Sequence, residues 1–363
     1  MTIRAAVMPG PEAPIELRDL PDPVLRPGSV LLETLASEVC GTDVHLWHGR
    51  LAGVPYPIVP GHVSVGRVAE TRGVDADALG RPLAVGDVVT FYDVHEVCGD
   101  CYHCLVAAQP NRCPSRRVYG ITYSADDGPL GGWAEAIHLL PGVRVLGLPD
   151  GLEADDVIGG GCGLFTGFAA VDRADIALGD TVLVQGAGPV GLSAAAFAAL
   201  RGAARVLVIG APESRLDLAR RLGADTAWDV TATSADERAA AVAEATAGRG
   251  PDVVIEATGN PAAVPEGLTL VRDGGTYVIA GHYTDAGEVA LNPHTMVNRK
   301  HARVLGQWGT DFRHVVRALA LLGKHRSRLP FRDVIGNRYG LAEAQAALED
   351  VAALRVTKAV IVP

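Results

Sequence analysis

The chain has 363 residues, a net charge of −10, 48% hydrophobic residues and 20% charged residues. That length supports two domains or one large one with a full core, the composition is that of a soluble globular protein, and the negative charge argues against nucleic acid or an anionic membrane as partner. No apolar run reaches the roughly 18 residues a membrane span needs, and the start MTIRAAVMPG lacks an apolar leader core, so a cytoplasmic protein is expected, with its six cysteines in metal or catalytic roles rather than in disulfides.

Residues 1–38 read as short strands broken by Pro and Gly, with the alternation of Val30–Leu35 fitting a half-buried antiparallel strand. Cys40-Gly41-Thr42-Asp43-Val44-His45 follows, then Gly61-His62, and much later Gly161-Cys162-Gly163. Two thiolates and one imidazole are what a catalytic zinc takes, with a fourth position left open. Taken singly, each of these residues reads equally as a buried small hydrophobe or a core histidine.

Cys98-x-x-Cys101-x-x-Cys104 with Cys113 places four cysteines within sixteen residues. In a cytosolic chain this spacing predicts a closed tetrahedral zinc site of structural type, pinning a lobe too polar to build its own core. A redox pair or an iron site is the competing reading. With Cys40 and Cys162, these account for every cysteine. Short β segments return over 120–160, where Glu135 is expected to be buried and paired, and Leu152–Gly160 reads as a short helix leading into Cys162.

From residue 178 the pattern changes to alternating strands and helices, hence a parallel sheet. Thr181–Gly191, TVLVQGAGPVG, is a β-branched run, a Gly186-x-Gly188-x-x-Gly191 turn and the start of an alanine-rich helix. The first glycine serves the turn, the second the approach of a pyrophosphate and the third helix–strand packing; the helix N-terminus then faces the phosphates. Further strands are expected at 205–209, 253–257 and 276–280, with helices at 212–222 and 260–272 and a capping box Ser234-x-x-Glu237. Thr258 and Gly259 follow a strand on the ligand-binding edge of such a sheet and are cofactor-contact candidates. Helices Asp311–Leu322 and Leu341–Ala353 and a strand Lys358–Val362 finish the chain.

Together these motifs resemble the zinc-dependent medium-chain dehydrogenase/reductase (alcohol dehydrogenase) family over essentially the full length. The resemblance implies an α/β protein. A GroES-like β-rich catalytic domain would span 1–163, with a structural zinc lobe at about 95–115. A Rossmann doubly wound parallel-sheet domain would span 164–306, and a segment 307–363 would return to the catalytic domain. It implies two zinc ions per chain, NAD or NADP as cofactor, and a homodimer or homotetramer. Cys40, His62 and Cys162 would hold the catalytic zinc, and Cys98, Cys101, Cys104 and Cys113 the structural one. Thr42 would take the proton of the substrate alcohol and His45 would pass it on. Asp43 would hydrogen-bond a zinc ligand, His62 being the expected one. Gly186, Gly188, Pro189, Val190 and Gly191 would line the cofactor, with Thr166 and Val190 against the nicotinamide and Lys358 on the pyrophosphate. The ribose position is Gly210, where the carboxylate that favours NAD is missing. Arg215 could approach a 2′-phosphate and Glu213 would repel one.

The chain also departs from the family pattern. Val63 stands where many members have a glutamate directly after the zinc histidine. The gap from Cys104 to Cys113 is one residue longer than usual. Tyr92–Val97 lacks a common proline and carries His95 and Glu96, which either line a polar substrate pocket or are solvated. The implied activity is reversible hydride transfer between an alcohol (secondary, polyol or cyclitol-like) and NAD(P). The alternatives are a nicotinamide-retaining enzyme without net redox, such as an epimerase, and a non-catalytic cofactor-binding protein.

Overall fold

The computed structural model describes residues 2–363. The chain forms two compact units: residues up to Gly161 with Asp311–Arg326 and Phe331–Pro363, and Cys162–Thr310 with Ser327–Pro330.

The second unit is built on a six-stranded parallel sheet. Its strands run in the order Thr226–Asp229, Arg205–Gly210, Thr181–Gln185, Val253–Glu256, Thr276–Ile279, Arg303–Gly306. The inner strands are nearly continuous Val, Leu and Ile because a parallel strand covered by helices is buried on both faces. The strand order reverses between Thr181–Gln185 and Val253–Glu256, and a doubly wound sheet opens its ligand crevice at the carboxyl ends of such a pair. The expected helix after the glycine turn runs Pro189–Arg201, starting with proline in its first turn and closed by Gly202 in the left-handed region. Ser234 and Glu237 form the expected capping box.

The first unit is β-rich. Its sheet is organised on the long strand Val30–Val39, which pairs antiparallel with Ser64–Thr71, with Ala136–Leu139 and with Ala359–Ile361. Residues more than 300 positions apart thereby become neighbours: Ala359 lies opposite Val39, and Ile361 opposite Ser37. One apolar cluster packs Val7, Met8, Leu46, Ile58 and Trp133 with Ala347, Leu348 and Ile361; another packs Leu32, Val89, Phe91, Tyr119 and Ile137. The end of the Val30–Val39 strand thus sits on a fully packed base, which fixes the position of Cys40 just beyond it.

The structure corrects two expectations and adds an element. A short helix, Gly41–Trp47, continues the chain from Cys40. Cys40 caps it with its sulfur on the Thr42 N–H, and Asp43 returns the bond to the Cys40 N–H, a sulfur version of the capping box. Glu135 is exposed and accepts the Arg4 N–H at 2.9 Å. The helix expected to end at Gly160 runs Ala154–Ala174 in two pieces, broken at Gly161 (φ 54°, ψ −142°).

Candidate active site and metal centres

Two groups of potential metal donors converge among the described residues. In the first, Cys98, Cys101, Cys104 and Cys113 bring their sulfurs together, with Cys101–Cys104 at 3.6 Å and Cys98–Cys113 at 3.5 Å. A tetrahedral zinc with Zn–S bonds of about 2.3 Å separates its sulfurs by about 3.8 Å, so the four cysteines fit the ion, and the longer loop before Cys113 is absorbed. Burial works against ionisation of Cys113, but N–H groups of Cys98 and Ser115 on its sulfur outweigh that and bring its thiol down to about 6.

In the second group, Glu38, Cys40 and His62 meet Cys162, the residue directly after Gly161, with one donor atom from each within 4.8 Å of the others. His62 Nε2 is 4.0 Å from Cys40 Sγ and 3.5 Å from Glu38 Oε1. Glu38 and Cys40 are two residues apart at the end of one strand, so they share a face. Gly161 makes the turn that brings Cys162 in. Its positive φ suits glycine, and a Cβ there would overlap the Glu38 carboxylate and lie 2.7 Å from Lys358 Nζ. Gly161→Ala is therefore expected to displace Glu38 or Cys162, lowering the melting temperature by several degrees and the zinc content from two per chain toward one, read by calorimetry and metal analysis.

The surroundings of His62 are anionic. Burial alone would lower its pKa, yet the charges of Cys40, Glu38 and Asp43 and a hydrogen bond to Cys40 raise it well above the usual imidazole range. A buried cluster that draws a proton onto its histidine is short of a cation, and two thiolates with one imidazole are the soft donors that zinc prefers. The residues present fit the ion.

Thr42 is buried and its N–H points at Cys40 Sγ. His45 lies three residues on in the same short helix, hence on a neighbouring position of the same face, and is half-buried, with burial lowering its pKa. Asp43 is fully buried, and burial raises its pKa well above the carboxylate range. It does not bond His62, the partner expected for it. Asp43 Oδ2 accepts the Cys40 N–H at 2.8 Å, while Asp43 Oδ1 and His62 Nδ1 are both buried without hydrogen-bond partners.

Lys358 likewise does not take the pyrophosphate position expected of it. It is 1% exposed, and its ammonium lies 2.5 Å from Glu38 Oε2. The pairing of Ala359 with Val39 holds it there, inside the first unit. His95 is structural rather than a pocket residue: Nδ1 lies 2.6 Å from Tyr123 Oη and Nε2 3.0 Å from the Pro141 carbonyl. Glu96 is exposed and lines a surface cavity of about 450 Å³ with Arg117, Asp127 and His138.

The three glycines of the turn differ as a pyrophosphate cradle requires. Gly186 has φ 112° and its missing side chain clears the Ala257 carbonyl; Gly188 faces open space; a Cβ on Gly191 would overlap the Gly186 carbonyl. Gly163 and Gly167 admit the helix Pro189–Arg201 in the same way, since side chains there would strike Pro189, Val190 and Ser193. Of residues 161–170 all are buried except Cys162 and Thr166, and of residues 182–198 all except Gly188, Pro189 and Val190. The positions left open in this tightly packed pair of helices are those nominated for metal and cofactor. Gly210 is crowded, because a Cβ there would lie 2.6 Å from that of Ala187, so an acidic side chain has no room. Arg215 is largely buried rather than extended into solvent.

Three residues with work at these sites carry no motif that marks them in the sequence. Glu38 is one. Glu256 is fully buried and gathers the N–H groups of Thr258, Gly259 and Gly281 and the Thr258 hydroxyl at 2.6–3.1 Å, which shapes the loop beyond its strand. Asp93 is the third: burial raises its pKa and the charge on His62 opposes the rise, which places it electrostatically beside the Cys40–His62 cluster. A carboxylate in an apolar strand is the available signal for Glu38 and Glu256.

Residues 26–150 match the alcohol dehydrogenase GroES-like domain and residues 189–324 the zinc-binding dehydrogenase family. A 5-exo-hydroxycamphor dehydrogenase of Pseudomonas putida is 34% identical, with 99% of this chain and 98% of that protein aligned. The chain belongs to the zinc-dependent medium-chain alcohol dehydrogenase family. An alcohol dehydrogenase of Thermotoga maritima superposes with a TM-score of 0.95 at 34% identity over the whole of both chains. A zinc-binding dehydrogenase of Sinorhizobium meliloti, solved with NADP, superposes with a TM-score of 0.87 at 28% identity, again over the whole of both chains. This dehydrogenase accordingly carries both the GroES-like β fold and the Rossmann sheet of its relatives. No helix among its described residues is long and apolar enough to cross a membrane.

Proposed function

We propose that the chain is an NAD(P)-dependent dehydrogenase of secondary alcohols, with Cys40, His62 and Cys162 holding a catalytic zinc and the four lobe cysteines a structural one. The observation that carries this is the spacing of Cys162 and Thr166. Four residues apart on one helix, both partly open, they place the metal donor and the nicotinamide-facing position one helical turn apart, about 6 Å. A substrate whose oxygen lies toward the metal donor then fits between the two positions, with its carbon near the roughly 3–3.5 Å contact with the nicotinamide that hydride transfer needs.

Zinc held here supplies a Lewis acid that polarises the substrate oxygen. The chain's own residues do the rest. The Thr42 hydroxyl receives the alcohol proton and His45 relays it, its ring kept neutral by burial and so able to accept. The glycine turn and the N-terminus of Pro189–Arg201 bind the pyrophosphate. Val190 and Thr166 hold the nicotinamide face, and Glu256 sets the loop carrying Thr258 against the cofactor. Gly210 lacks the carboxylate that would reject a 2′-phosphate, and the Sinorhizobium relative binds NADP, so both nucleotides are admitted as candidates.

Hydroxycamphor, for which the Pseudomonas relative is named, is a rigid secondary alcohol, and a compact ring alcohol is the first substrate class to try. The test is the rate of nicotinamide reduction with NAD and with NADP, across cyclic terpenoid alcohols, simple secondary alcohols, polyols and cyclitols, with zinc counted in the same preparation. Turnover concentrated in one alcohol class, with two zinc ions per chain, is the expected result. Absence of net reduction in every class by a protein holding two zinc ions would overturn it.

A further inference from the structure

We propose that Glu38 is the fourth protein donor of the catalytic metal centre, occupying the coordination position that substrate later takes, with Lys358 as its buried counter-cation. This rests on the assignment of Cys40, His62 and Cys162 as metal ligands, and goes beyond it.

The first argument is geometric. A tetrahedral zinc with bonds of about 2.3 Å to sulfur and about 2.0 Å to nitrogen and oxygen has edges of about 3.6 Å between S and N and about 3.3 Å between N and O. The corresponding separations are 4.0 Å from Cys40 Sγ to His62 Nε2 and 3.5 Å from His62 Nε2 to Glu38 Oε1. The carboxylate is therefore a corner of the same tetrahedron rather than a neighbour of it.

The second argument is charge. Glu38 is 0% exposed and Lys358 1%. Two thiolates and one carboxylate carry three negative charges; one ammonium and one divalent cation carry three positive. Without the metal the cluster is left with excess negative charge in a buried place, and without Lys358 the donor set would be over-neutralised by its own carboxylate. The two oxygens of Glu38 divide the work, Oε1 facing His62 and Oε2 bound to Lys358. A carboxylate anchored at one oxygen by a flexible lysine can swing its other oxygen off the metal without being left unpaired.

The third argument is where the carboxylate comes from. The residue after His62 is Val63, directly before the strand Ser64–Thr71, and its carbonyl accepts the Glu38 N–H at 3.1 Å. The acid missing at position 63 is supplied from the strand Val30–Val39 beside it. Gly161 completes the arrangement, since its bare Cα leaves the room that the carboxylate fills.

The test uses metal retention and the electronic spectrum of the full-length protein with cobalt(II) in place of zinc. Single removal of Glu38 would take the carboxylate from a buried ammonium, so the variants are the double variant Glu38→Gln/Lys358→Met, which removes both charges, and Glu38→Asp, which keeps the ion pair and shortens the reach. Both are expected to lose metal from this site to a chelator about 10–100-fold faster than the unaltered protein and to show altered cobalt d–d bands before any substrate is added. Unchanged release and an unchanged spectrum in both variants would overturn the proposal. His62→Ala separates it from its foundation: if that variant leaves the cobalt spectrum intact, the ligand assignment itself fails, whereas loss of the site's cobalt in His62→Ala with no effect at Glu38 refutes only the role given to Glu38.

Discussion

Replacing His62 with alanine is expected to lower kcat by at least about a thousandfold while nucleotide binding persists. Lewis-acid polarisation of a substrate oxygen contributes several kcal/mol to the transition state, and each 1.36 kcal/mol is a factor of ten in rate. His62 supplies the one nitrogen donor of its cluster, and its ring is buried, so its loss leaves a gap in the donor set. The glycine turn and the Thr166–Val190 positions belong to the other compact unit and keep their packing. The distinguishing result is therefore a split. Zinc falls from two ions to one per chain and turnover collapses, while nucleotide titration followed by fluorescence gives a dissociation constant within a few-fold of the parent. Cys40→Ser should behave alike, its hydroxyl still able to cap the helix Gly41–Trp47, whereas Cys40→Ala should also lose stability, because the Cys40 sulfur caps that helix and such a cap contributes about 1 kcal/mol. Retained turnover in a folded His62→Ala protein with one zinc would remove this site from the mechanism.

The contrast between what is legible in the sequence and what is not lies in the range of the interactions. The turn Gly186–Gly191 is local: three glycines, a β-branched run before them and an alanine-rich run after them settle strand, turn and helix within some twenty residues, and the structure has each of them in place. The four lobe cysteines are local in the same sense. Lys358 shows the opposite case. Its partner Glu38 is 320 residues away, brought to it by strand pairing that no short window contains, and the family resemblance points its charge to the pyrophosphate instead. Asp43 shows a subtler limit. The sequence marks the residue, but its carboxylate has two acceptable uses, the His62 ring and the Cys40 N–H, and helix capping takes one oxygen. The helix itself escapes notice because cysteine is not an expected cap, although Cys-x-x-Asp has the spacing of a capping box. Burial is misleading at Glu135 and hidden at Glu38 and Glu256. Glu38 and Glu256 sit in apolar strands and Glu135 directly before one, where sequence alternation gives the face of a residue but not whether that face is covered.

Removing one lobe ligand, as in Cys113→Ser, is expected to unfold the lobe without erasing the fold. The helix Tyr102–Leu105 has no buried residue, and Tyr102, Leu105 and Val106 are each about two-thirds exposed, so between Cys98 and Ala107 there is little apolar burial to hold a conformation. What holds it is the convergence of four sulfurs. A structural zinc contributes about 10–16 kcal/mol of apparent binding free energy to the segment it closes, and a segment without a core has nothing to replace it. Cys113 is the most consequential of the four because it is buried and takes the Cys98 N–H on its sulfur, tying both ends of the lobe. Loss of one zinc per chain should then be accompanied by rapid proteolytic cleavage within 98–113, while the Rossmann sheet keeps its amide-exchange protection. Strong chelation of the parent protein should reproduce that cleavage pattern, and zinc should reverse it. A Cys113→Ser protein that resists protease as the parent does would mean that the lobe is held by packing, and the four cysteines would lose their structural role.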